Sequence, residues 1–157
     1  MADNNACRNL DVHNNYNEDL QTNVDMLGEV FKMQATLQSA FGFEYDPNRS
    51  LGELMAYNNV HHHGLQDEIR EYFEALGGVD SDGSAVWKNW KKTHQAVQQK
   101  KLSDLTPAEL LELQFEVIDM FKFWANMALS VGVDAKMFYN LFMAKTVENY
   151  DRIKRGY

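Results

Sequence analysis

Along most of this chain apolar side chains return every three or four positions, the period of an amphipathic helix rather than the alternation of a strand. Val24, Leu27, Phe31, Gln34, Leu37, Gln38 and Phe41 keep that spacing and predict a first helix. Leu51, Leu54, Met55, Tyr57, Val60, Leu65, Ile69, Phe73 and Leu76 predict a long second helix, with a kink expected near Gly64. A third is expected from Ser84 to Lys101. Thr106-Pro107-Ala108-Glu109 is a strong helix start, with threonine as N-cap, proline in the first turn and glutamate reaching back from the third position. The fourth helix runs from there to Val131 and stops at Gly132, a residue type that favours helix ends. A fifth begins near Asp134 and carries Phe138, Leu141, Phe142 and Val147. No alternating run bounded by hairpin turns competes. The expected class is all-α, an antiparallel bundle of about five helices.

The ends and joints read differently. Residues 1–20 hold six asparagines among scattered apolar residues and are expected to form a polar, flexible arm, with residues 21–157 as a single domain. The segment Gly77-Gly78-Val79-Asp80-Ser81-Asp82-Gly83 reads as a loop. At 157 residues and 45% apolar content, the chain is long enough for a core and is not a disordered polymer. Its net charge of −8 argues against a general nucleic-acid or anionic-membrane surface, because both select for bases. A single nucleotide remains compatible with that charge, since a few local bases and metal ions can meet its phosphates. Cys7 is the only cysteine, so no intrachain disulfide is expected, which fits a reducing compartment. With no apolar signal core and no membrane-spanning run, a cytoplasmic location is expected.

Charge enters the apolar pattern at one telling place. Glu116 and Asp119 lie inside Leu113-Gln114-Phe115-Glu116-Val117-Ile118-Asp119-Met120-Phe121, three residues apart and so on one helical face. An ionised carboxylate on a mostly buried helix costs several kcal/mol unless a cation or donor meets it. A second pair, Glu68 and Glu71, has the same spacing and shares its face with Gly64 and His61. Four carboxylates from two helices would make a metal cage. Oxygen ligands suit hard cations, which points to Mg²⁺, with Mn²⁺ as the second candidate. Di-iron bundles use Glu-x-x-His on two helices, and neither pair has histidine there. Each motif also has a plainer reading: a solvated helix face beside Arg70 for the first pair, and a buried pair capped by lysine or arginine for the other. His61, His62 and His63 point about 100° apart on a helix and cannot share one ion well.

Two basic segments have the chemistry to hold phosphates. From Gly83 to Ser103 there is no acid, and the window holds Trp87, Lys88, Trp90 and Lys91. An indole beside a base and a lysine beside a phosphate is one reading; an exposed helix with tryptophan packed inward is the other. Near the C-terminus Lys145, Asn149 and Arg152 share a helix face, followed by Arg155 and Tyr157. Such a fork suits polyphosphate oxygens, and equally a basic helix end complementing the macrodipole.

Glu68-x-x-Glu71 followed by Glu116-x-x-Asp119 resembles the signature of the all-α nucleotide pyrophosphatases, which include MazG-like enzymes and dimeric dUTPases. The closer resemblance is to the dCTP/dUTP pyrophosphatases of T-even-type bacteriophages. It is carried by Ser84-Ala85-Val86-Trp87-Lys88-Asn89-Trp90-Lys91, by the segment from Glu116 to Asn126, by Met33-Gln34-x-x-Leu37-Gln38, and by the ending from Lys145 to Tyr157. The resemblance implies a Mg²⁺-dependent hydrolysis of dCTP, with dUTP and the diphosphates as further substrates, to dNMP and pyrophosphate or phosphate. It implies metal roles for Glu68, Glu71, Glu116 and Asp119, with Glu71 (or Glu68) acting on water. Gln34, Gln38, Trp87, Trp90, Phe123 and Asn126 would meet base or sugar. Lys88, Lys91, Lys145, Asn149, Arg152, Arg155 and Tyr157 would meet phosphates. It also implies a homodimer in the cytoplasm of an infected host, acting on nucleotide pools. Departures are Gln38, where dimeric dUTPases carry asparagine, Lys122 in place of a histidine, and Ile153 in place of a glutamine. A strict dUTPase or a general MazG-like enzyme would differ only in the pocket. A non-catalytic helical interaction module is the alternative of another class.

Overall fold

The computed structural model describes residues 25–77, 88 and 90–156. The N-terminal arm, the loop after Gly77, Trp87 and Tyr157 lie outside the described residues. Among the described residues there are five α-helices, α1 (Met26–Ala40), α2 (Leu51–Gly77), α3 (Lys92–Gln98), α4 (Pro107–Ser130) and α5 (Ala135–Lys154), and one 3-10 turn at Leu102–Asp104. Among the described residues there is no strand, and the fold class is all-α.

The helix starts are made where side chains can satisfy the unpaired N–H groups of a first turn. Asp25 caps α1 by accepting from the Gly28 N–H at 3.0 Å. At α2, Glu53 accepts from the Ser50 N–H at 3.1 Å while the Ser50 hydroxyl accepts from the Glu53 N–H at 3.2 Å. Thr106 and Glu109 form the same reciprocal box at α4, at 2.7 and 3.2 Å. These bonds hold both exposed glutamates below the usual carboxylate range; the largest cause is the Ser50 hydroxyl for Glu53 and the Thr106 N–H for Glu109. Asp134 caps α5 by accepting from the Met137 N–H at 2.8 Å.

Helix α4 closes on a positive-φ residue, Gly132 at +79°. The Val133 N–H reaches the Ala128 carbonyl at 3.0 Å and the Gly132 N–H reaches that of Leu129, also at 3.0 Å, the paired bonds of a Schellman end. A Cβ at Gly132 would also press on the Tyr45 ring. Helix α2 continues through Gly64 as one helical element rather than ending there. Gly64 serves a close approach instead: a Cβ there would overlap the Phe123 ring. Gly64→Ala should therefore lower the melting temperature by roughly 3–10 °C in calorimetry, from about 1–3 kcal/mol of overpacking.

The third helix is shorter than its pattern implied. Lys88, Trp90 and Lys91 precede the helical stretch, which starts at Lys92 without a side-chain cap.

By contact density the described residues divide into two units, with boundaries inside α2 and α4. One comprises residues 59–77, 88 and 90–124; the other comprises residues 25–58 and 125–156. In the second unit Phe31 is 3% exposed and stacks on Phe138 with centroids 5.8 Å apart, which joins α1 to α5. In the first, Leu113 is the buried apolar residue of α4, and Phe123 packs beside His61 with ring centroids 5.9 Å apart. Among the described residues, few large apolar side chains are buried in the single chain. Val30, Met33 and Leu37 of α1, Phe41 just beyond its end, and Phe142, Val147 and Ile153 of α5 are all exposed.

Candidate functional site

In the first unit, three of the four predicted acids converge. Oxygens of Glu68, Glu71 and Glu116 lie within 4.8 Å of one another. Glu116 is 0% exposed, and no described donor meets either of its carboxylate oxygens. A buried carboxylate left in that state is costly. Burial, then the charges of Glu71, Glu112, Glu68 and Asp119, push Glu116 up to about 7. Glu68 is likewise raised to about 7, by burial first and then by Asp119 and Glu71, while Lys122 pulls it down. Burial also raises Glu71, against the nearby Arg70.

The fourth acid behaves differently. Asp119 pairs with Lys122 on the next turn of α4, Nζ to Oδ1 at 3.2 Å. An ammonium thus meets one carboxylate, and the remaining three face each other. Arg70 spreads over the rim, donating to Asp67 at 3.0 Å, to Glu71 at 3.0 Å and to Glu74 at 2.6 Å. The three converging carboxylates fit a divalent hard cation: all donors are oxygens, their repulsion is what a 2+ charge relieves, and Glu116 has two buried lone-pair sites unmet. Glu112, 6% exposed one turn before Glu116, was not singled out from the sequence. Its i, i+4 spacing to Glu116 was the available signal.

His62 and His63 are exposed and His61 is buried, its pKa lowered by desolvation; none of the three joins the acids. Lys88 is half-buried, while Trp90 and Lys91 are exposed.

In the second unit, the two predicted glutamines and Asn126 form a buried amide group. Gln34 Nε2 donates to Asn126 Oδ1 at 2.6 Å, and the Tyr57 hydroxyl donates to Gln38 Oε1 at 2.8 Å. Exposures are 7% for Gln34, 9% for Gln38 and 4% for Asn126. Gln38 also lines a cavity of about 400 Å³, together with Thr36, Ser39, Phe43, Tyr45 and Leu129. That size falls within the range of small-molecule sites. Tyr57, read from the sequence only as part of an apolar stripe, is the residue that the sequence missed here.

The predicted phosphate ligands of α5 are solvent-facing. Lys145 and Asn149 are exposed. Arg152 donates to Glu148 Oε1 at 2.9 Å, and Arg155 donates to the same oxygen at 3.1 Å.

A dCTP pyrophosphatase of Enterobacteria phage LZ5 is 34% identical to this chain over 172 aligned positions covering all of both proteins. A dCTP pyrophosphatase of Enterobacteria phage T4 is 29% identical over 171 positions, again across the whole of both. A DNA replication protein of Enterobacteria phage T4 is 29% identical over 159 positions, which span 92% of this chain and 41% of that protein. No family model matches the chain, and no solved structure matches it. No described helix is long and apolar enough to cross a membrane.

Proposed function

The chain belongs to the dCTP pyrophosphatase family of bacteriophages, and from that premise we propose that it hydrolyses dCTP to dCMP and pyrophosphate. Mg²⁺ is the resident cation in this reading, with Mn²⁺ as its substitute, and dUTP and the corresponding diphosphates are further substrates. The role is control of nucleotide pools during phage replication. In kind it is an all-α nucleotide pyrophosphatase, akin to MazG-like enzymes and dimeric dUTPases. The observation that carries the reading is Glu116, wholly buried among two other carboxylates with both oxygens unmet.

Glu68, Glu71 and Glu116 would hold the cation, with Asp119 joining them on release from Lys122. When bound, the cation supplies Lewis acidity toward phosphate oxygens and compensates the charge of the cluster. Glu71 orients the attacking water and takes its proton. The water oxygen bonds to phosphorus, the bridging P–O bond breaks, and pyrophosphate leaves with that electron pair. Gln34, Gln38 and Asn126 meet the base, with Trp87, Trp90 and Phe123 offering aromatic surface to base or sugar. Lys88, Lys91, Lys145, Asn149, Arg152, Arg155 and Tyr157 meet phosphates. For Arg152 and Arg155 this is an exchange of one anion for another, phosphate in place of Glu148.

A second copy of this chain is the proposed partner, a reading supported by the exposed apolar residues of α1 and α5. No nucleic acid is needed as a partner, and the location is the host cytoplasm. The test is a panel of eight nucleoside triphosphates with Mg²⁺ and product identification. Release of dCMP and pyrophosphate from dCTP is expected. No dNMP from either dCTP or dUTP would end the reading, and turnover confined to dUTP would make the chain a strict dUTPase.

A further inference from the structure

The helices that bring the acids together each bring a base as well, and the two bases are placed differently. On α2, Arg70 is shared among Asp67 at 3.0 Å, Glu71 at 3.0 Å and Glu74 at 2.6 Å. When Glu71 turns to a cation, Arg70 still has two anions. On α4, the Lys122 ammonium donates to Asp119 Oδ1 at 3.2 Å, and its charge also acts on Glu68, which it pulls down. Both of those acids are candidate metal ligands. The positions one turn to either side of Lys122 are Ile118, Asp119, Ala125 and Asn126, so its own helix offers it no second carboxylate.

Charge balance then acts on Lys122 alone. Once Asp119 and Glu68 turn their oxygens to a divalent cation, the ammonium loses the charge that held it and stands beside a new positive centre. At a few ångströms near a protein surface, that repulsion is well above the thermal energy. The Lys122 side chain is half-exposed and carries its charge on a flexible four-carbon stem, so it can swing away rather than stay trapped. What it needs is an anion that arrives together with the cation. The triphosphate of a nucleotide is such an anion, and an ammonium donates to phosphate oxygens in strong, charge-assisted hydrogen bonds.

We propose that Lys122 couples cation and nucleotide binding: it holds Asp119 in the metal-free chain and passes to a phosphate oxygen of the nucleotide when Asp119 turns to the cation. This rests on the dCTP reading above and deepens it, adding a phosphate contact from α4. Lys122 opposes the cation on its own, because its ammonium must first be displaced, and it favours the cation and the triphosphate together. By linkage, each ligand then strengthens the binding of the other by the same factor.

The experiment uses the full chain and two probes. Mn²⁺ alone is titrated by calorimetry, and the non-hydrolysable α,β-imido analogue of dCTP is titrated at saturating Mg²⁺. Lys122→Met keeps an unbranched stem and removes the charge. It should bind Mn²⁺ alone about two- to fivefold more tightly than wild type, the worth of a half-exposed ion pair. It should bind the analogue about tenfold or more weakly, from the loss of a hydrogen bond between charged groups. The two shifts have opposite signs, which a merely structural defect does not produce. Lys122→Arg should keep most of the affinity for the analogue, and Lys122→Gln decides the matter if Lys122→Met does not fold. A wild type that binds no Mn²⁺ and releases no dCMP from dCTP would overturn the underlying reading. A wild type that does both, without opposite shifts in the uncharged variants, would overturn this inference and leave the dCTP activity standing.

Discussion

Glu116→Gln should lower dCMP release from dCTP by about a thousandfold while leaving helix content intact. Glutamine has the same shape but no charge, so it withdraws one third of the converging carboxylates without opening a cavity. A cation clamp on transferring phosphates is worth several kcal/mol, and each factor of ten in rate is about 1.4 kcal/mol. The variant also separates site from scaffold. In wild type without metal, Glu116 is a buried carboxylate with no described donor, so its neutral isostere should melt higher than wild type in EDTA. It should also lose most of the Mg²⁺-induced rise in melting temperature. Retained activity, or a lower melting temperature in EDTA, would contradict the role assigned to the cluster.

The second large effect is a pH dependence of stability that added metal counteracts. Glu68 and Glu116 titrate near 7 in the folded chain, each raised first by burial. In the unfolded chain a glutamate titrates near its ordinary value of about 4.3. Between those values the folded state binds more protons than the unfolded state, so stability falls as pH rises. The stabilisation is complete below the unfolded value and is lost as pH rises through about 7. In EDTA, the melting temperature should drop by about 5 °C or more between pH 5 and pH 8, given that about 1 kcal/mol moves a domain of this size by about 2–4 °C. Mg²⁺ binds the deprotonated cluster, so its stabilising effect should be small at pH 5 and large at pH 8. A flat EDTA profile would mean that these carboxyls are not desolvated in solution.

Much of the fold was legible because local chemistry decides it. Thr106 and Glu109 are close in sequence, and their reciprocal bonds form within one turn. Glu116 was legible from its apolar neighbours, although the face opposite it leaves Val117 and Ile118 exposed. Asp119 looked equivalent, yet its partner was already at i+3 in Lys122. Choosing between a tethered ammonium and a shared ion depends on what faces the helix, and sequence spacing does not say. Lys91 illustrates the opposite failure. The acid-free window around it reads as a helix, but Lys91 lies just before α3, which starts at Lys92, and its side chain makes no capping hydrogen bond. Tyr57 was hidden for a different reason. Its ring fits the apolar stripe, while its hydroxyl meets Gln38 nineteen positions away, a contact that only the tertiary fold creates.

The bare apolar residues on α1, just after it at Phe41, and on α5 carry a consequence for handling as well as for assembly. Met33 is 70% exposed, Phe41 78% and Ile153 70% in the single chain. If two copies cover these residues in one another, stability becomes a matter of mass action, and no single melting midpoint describes the protein. The midpoint would climb with each increase in concentration. An enzyme kept as a micromolar stock and diluted to nanomolar for assay would then shed specific activity over minutes, and adding back its own inactive Glu116→Gln chains would slow the decay.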